Sequence, residues 1–84
     1  MAATRALRAE GFSNLIVGVT GNVLDEDVRT FLQAGADCVL GKPLRFSTIS
    51  SLVHFIEQNG YASRVGFTLT EKGSSFEWVQ REEY

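Results

Sequence analysis

LIVGVT (Leu15–Thr20) and CVLGKP (Cys38–Pro43) are two short apolar runs, each delivering a polar side chain at its end. Gly21-Asn22 breaks the chain after the first, and the only proline closes the second. Neither run alternates apolar with polar residues, the pattern of strands covered on both faces. Between them lies a helical segment, roughly Asp25 to Ala34, in which Leu24, Val28, Phe31 and Leu32 fall at i, i+4, i+7 and i+8 on one stripe. Asp25, Glu26 and Asp27 crowd its first turn, where negative charge complements the helix dipole, and Gly35 ends it. Strand, helix and strand in that order predict a right-handed crossover and a parallel sheet.

Outward from this unit, residues 2–10 are strong helix formers stopped by Gly11. A third helix is predicted from Ser47, read as its N-cap, to Asn59, with Ile49, Leu52, Val53 and Ile56 as its stripe and Gly60 as its stop. From Tyr61 the character changes. Phe67–Thr70 alternates at strand period, Glu71–Ser75 reads as a turn, and Phe76–Gln80 alternates again, predicting a β-hairpin. Phe67, Phe76 and Trp78 read as the hairpin face that packs on the rest, and Arg81–Tyr84 as a frayed end. The chain therefore divides into residues 1–60 and an extension, 61–84. Two parallel strands make a poor sheet, so one edge must be exposed or paired otherwise. The hairpin is a candidate cover for the edge of the leading strand.

Eighty-four residues, 44% of them apolar, make one small globular domain. A net charge of −2, with eight basic residues that form no cluster, gives no reason to expect nucleic acid. The single cysteine, Cys38, lies in an apolar run and reads as a buried small hydrophobe in a reducing compartment. No run approaches the ~20 apolar residues of a membrane span, and no basic-then-apolar leader opens the sequence. A cytoplasmic protein is expected. His54 borders the apolar stripe with no acidic cluster around it and reads as a structural, partly exposed side chain.

In an open parallel sheet, ligands bind beyond the carboxyl ends of the strands, and Thr20 and Lys42 both sit there. A hydroxyl can hydrogen-bond one phosphoryl oxygen and an ammonium can offset the charge on another. Proline holds Lys42 out of helical geometry and, as a cis bond, turns the chain sharply. On spacing alone, the simpler reading is a strand-ending threonine beside a surface lysine.

Residues 5–57 resemble the C-terminal half of a response regulator receiver domain. The resemblance is carried by Val17-Gly18-Val19-Thr20-Gly21-Asn22, Asp25-Glu26-Asp27, Ala34-Gly35-Ala36-Asp37 and Gly41-Lys42-Pro43-Leu44, in register. It implies an α/β, flavodoxin-like, doubly wound parallel sheet, here incomplete: helix, strand, helix, strand, helix, with the C-terminal hairpin added. It implies a phosphorelay module in which Thr20 is the switch hydroxyl, Lys42 contacts the phosphoryl group and Pro43 is its cis-proline. Val39 stands where many members place the switch aromatic. The family's phosphoacceptor aspartate and the acidic pair that holds its Mg²⁺ have no counterparts in these residues. The expectation is therefore a truncated module without catalytic residues, metal or cofactor, and not an enzyme. Its partners would be a histidine kinase, a phosphotransfer protein or another receiver, met through the fourth helix, fifth strand and fifth helix of the family. Asp25, Glu26 and Asp27 read as a solvated charge cluster and not as a substitute acceptor. A dinucleotide-binding oxidoreductase fragment is the alternative suggested by Val19-Thr20-Gly21-Asn22. It lacks the further glycines that bring a pyrophosphate to a helix. A fragment without independent function is the third reading.

Overall fold

The computed structural model describes residues 2–21 and 24–81. In chain order its elements are α1 (Ala2–Ala9), β1 (Val17–Thr20), α2 (Asp25–Ala34), β2 (Cys38–Gly41), α3 (Phe46–Asn59), β3 (Phe67–Lys72) and β4 (Ser75–Gln80). β1 and β2 pair in parallel, from Val17 opposite Cys38 to Thr20 opposite Gly41. β3 and β4 form an antiparallel hairpin closed by Lys72 opposite Ser75. The turn is therefore the two residues Gly73-Ser74, tighter than the expected five. Gly73 takes a φ of 61°, the positive value such turns favour.

Register assigns the side chains to faces. Gly18 lies beneath Phe31 of α2, and a Cβ there would run into the Phe31 ring, so the close fit of helix on strand requires glycine. α1 packs on α2. Cys38 and Leu40, from the other face of β2, share a core with Leu52 and Phe55 of α3 and with Leu69 and Phe76 of the hairpin. The result is an α/β fold with a two-stranded parallel sheet covered on both faces. A radius of gyration of 12.3 Å, against ~12 Å for a compact chain of this length, leaves no room for a hairpin projecting from the body.

The hairpin is part of the core. Leu69 is 1% exposed, Trp78 meets Phe55 edge-on with ring centroids 6.1 Å apart, and Phe67 lies under the Arg64 guanidinium at 4.0 Å. Leu69 N–H donates to the Asp37 carbonyl at 2.7 Å, which sets β3 beside β2. The hairpin thus does not cover the edge of β1. Its apolar face matches α3 and the β2 side, and two polar bonds hold it there. Thr48 Oγ1 donates to Glu71 Oε2 at 3.0 Å, and Ser51 Oγ to the Ser74 carbonyl at 2.8 Å.

Two arginines tie the layers together. Arg8 donates from Nε to Gly35 O at 2.9 Å, from Nη1 to Phe12 O and Asn14 O at 2.7 and 2.9 Å, and from Nη2 to Asp37 Oδ2 at 2.7 Å. The buried Asp37 carboxylate also accepts from Ile16 N–H at 3.0 Å and Ser63 Oγ at 2.8 Å. Arg81 donates to Leu32 O, Ala36 O, Phe67 O and Thr68 Oγ1 at 3.1–3.3 Å, clamping the hairpin to the end of α2.

Three local expectations are corrected. Ser47 is not the N-cap of α3: the helix begins at Phe46 with extended Arg45 in the capping position and no side-chain cap. The chain enters the helix one residue early because Arg45 already has φ −87° and ψ 143°. Leu24 is exposed and drops out of the α2 stripe, since it precedes the first helical residue. Of the α3 stripe, Leu52 is buried while Ile49 and Val53 lie on an exposed flank. Among the described residues no helix is long and apolar enough to cross a membrane.

Candidate functional site

The crossover brings the ends of β1 and β2 side by side. Lys42 N–H donates to the Thr20 carbonyl at 2.9 Å, extending the ladder one bond beyond the last paired residues. Both positions are therefore at the carboxyl edge of the sheet, Thr20 half-buried and Lys42 exposed. The Lys42–Pro43 peptide bond is cis.

Lys42 lines a cleft of about 430 Å³ together with Pro43, Leu44, Arg45, Thr48 and Glu71. Thr20 is not in its wall. The strand ends thus meet through their backbones, while the ammonium borders a cleft whose far side is the hairpin. Among the described residues, neither Lys42 nor Arg45 has an ion-pair partner. The wall of this cleft carries two cations, Lys42 and Arg45, and one carboxylate, Glu71, which accepts from Thr48 Oγ1. Arg45 escapes sequence reading because nothing about a loop arginine marks it. Glu71 escapes because only the packing of the hairpin brings it here.

Val39 is half-buried and, with Val28 and Leu32, lines a second cleft of about 330 Å³ against β3. Gly21 is exposed, and Asn22, the second residue of the break after β1, lies outside the described residues. His54 is exposed on α3, away from Thr20 and Lys42. Among the described residues no group of three or more His, Cys, Asp or Glu side chains could hold a metal ion.

Cys38 is 1% exposed. Burial, followed by the negative charges of Asp37 and Glu71, pushes its thiol from 9.0 up to about 12. The folded thiol keeps its proton where the unfolded one has lost it, so stability is full below pH 9 and falls as pH rises toward 12. The expected slope is at most about 1.4 kcal/mol per pH unit. A Cys38→Ser or Cys38→Ala variant should lose that part of the alkaline slope in urea titrations. Native Cys38 should react with a thiol reagent only at the rate of unfolding, and prompt stoichiometric reaction would contradict its burial.

No family model, curated protein or solved structure matches the chain.

Proposed function

We propose that the chain is a receiver-like docking module of a phosphorelay, built on the C-terminal half of a flavodoxin-like receiver sheet and not itself a phosphoryl acceptor. The observation that carries this reading is the edge formed by Thr20 and Lys42, with a Lys42 N–H to Thr20 O bond of 2.9 Å. A hydroxyl residue and a lysine on adjoining parallel strand ends suit the oxygens of a phosphoryl group presented by a partner. Arg45 adds a second cation on the same loop. Such an edge attracts a phosphorylated surface, and charge of this kind acts mainly on encounter and orientation.

Within the proposal, the family's helix–strand–helix docking face corresponds to α2, β2 and α3. The hairpin already packs against β2 and α3. The hairpin takes one side of α3, and the part we assign to a phosphorelay partner is the strand-end edge, with the Lys42–Arg45 loop and the outer side of α2. Glu26 and Asp27 lie in the first turn of that helix and serve here as its charge cluster, not as an acceptor. No observation favours the dinucleotide reading, because Gly21 is followed by no further glycine before Gly35.

Incubation with acetyl phosphate and Mg²⁺ is expected to leave the chain unlabelled by intact-mass spectrometry. A hydroxylamine-sensitive acyl phosphate on Asp25, Glu26 or Asp27 would overturn the view that the module docks without accepting.

A further inference from the structure

β1 has one open side. Ile16 and Thr20 turn their carbonyls toward β2, accepting from Cys38 N–H at 3.4 Å and Lys42 N–H at 2.9 Å. Successive residues of a strand present their backbone groups to opposite sides, so Leu15, Val17 and Val19 present theirs outward. On that outer side Leu15 N–H donates to Tyr61 O at 2.8 Å, and Ser63 N–H donates to Ser13 O at 2.9 Å. These bonds form an antiparallel bridge between Asn14 and Ala62. The pairing stops there: among the described residues no strand continues it along Val17–Val19. Within Val17–Thr20 the edge carries neither lysine nor proline, two of the usual protections of an open edge.

α3 adds an apolar stripe on the same flank. Phe46, Ile49 and Val53 are 87%, 37% and 50% exposed, and Ile56 continues their 3-4-3 spacing. Ser51, which bonds the hairpin, falls roughly 180° around the helix from this stripe. The stripe therefore faces away from the hairpin, and since the hairpin lies on the β2 side, it faces the open edge of β1.

We infer that this flank is an interface between two copies of the chain. About a twofold axis, the β1 edges pair antiparallel into a four-stranded sheet, and the two α3 stripes pack antiparallel above it. A second copy is the occupant that brings an open edge of equal length together with a matching stripe, so both features are covered at once. The antiparallel order sets Phe46 of each copy opposite Ile56 of the other, and Ile49 opposite Val53. It also sets the Arg45 end of each helix beside the Glu57 end of its mate, where a parallel order would bring like charges together. The exposed parts of Phe46, Ile49, Val53 and Val19 supply on the order of 400 Å² per copy. The two copies together give roughly 800 Å², to which the strand edges add, against the ~1,200 Å² at which specific interfaces begin. This inference is independent of the phosphoryl reading.

Sedimentation equilibrium of the intact chain up to about 500 µM, a range that captures weak dimers, is expected to show a twofold rise in mass. Val53→Glu places charge in the stripe. Val19→Pro removes an outward N–H that the β1–β2 ladder does not use. Each is expected to hold the chain monomeric at every concentration while keeping the wild-type circular dichroism spectrum. A monomeric wild type, or a folded Val53→Glu variant that still doubles in mass, would overturn the inference. Val53→Glu decides alone if Val19→Pro does not fold, because the Val53 side chain is half exposed and outside the core.

Discussion

Arg8→Ala is expected to destabilise the fold by about 3–5 kcal/mol, the cost of leaving a buried carboxylate without its cation. Asp37 is 4% exposed and Arg8 is its salt-bridge partner at 2.7 Å. The same guanidinium satisfies the carbonyls of Gly35, Phe12 and Asn14, so its loss also loosens the end of α1 and the entry to β1. In a domain of this size the loss is comparable with total stability. Urea titration followed by the fluorescence of Trp78 should find the variant largely unfolded without denaturant. Asp37→Asn in the same background should recover a substantial part. An amide oxygen can still accept from Ile16 N–H and Ser63, and the uncompensated charge is gone. An Arg8→Ala midpoint equal to wild type would show that the cluster carries little stability.

Leu69→Ala is the second large effect, about 2–5 kcal/mol. Leu69 is the largest fully buried side chain among the described residues, and it joins the hairpin to Cys38, Leu40, Leu52 and Phe55. The hairpin thus serves as a wall of the core, and truncating one leucine should be felt by α3 and β2 alike. Val79, exposed on the opposite hairpin face, is the control: Val79→Ala should change the urea midpoint little. Equal, small effects at both positions would mean that the hairpin is an appendage and that residues 2–60 hold their own core.

The crossover from β1 through α2 to β2 was legible because its signals are local. α2 has the expected bounds, Asp25–Ala34, set by Gly35, and β2, Cys38–Gly41, lies within the expected apolar run. The hairpin was legible from its alternation, but its short turn was not: with Gly73 at a φ of 61°, Glu71, Lys72 and Ser75 join the strands instead of the turn. The tie between Arg8 and Asp37 was not, because it joins residues 29 positions apart and nothing distinguishes Arg8 from the arginine at position 5. Arg81 was hidden in the same way: its place at the chain end predicts fraying, yet its side chain finds four acceptors, on Leu32 of α2, on Ala36 just beyond that helix, and on Phe67 and Thr68 of β3. The side on which the hairpin packs depends on the shape of α3, which a one-dimensional pattern does not carry. At the strand ends, Thr20 and Lys42 were legible as positions. The cleft that Lys42 enters was not, because Glu71 arrives only with the hairpin.

The most direct test of the docking account is an amide NMR titration of the intact chain with a histidine phosphotransfer domain, phosphorylated and unphosphorylated. The account predicts shifts at Thr20, Gly21, Lys42, Leu44 and Arg45 that are stronger with the phosphorylated form, while the phosphohistidine signal persists. An unchanged spectrum with both forms, or loss of phosphohistidine with label appearing on the chain, would contradict it.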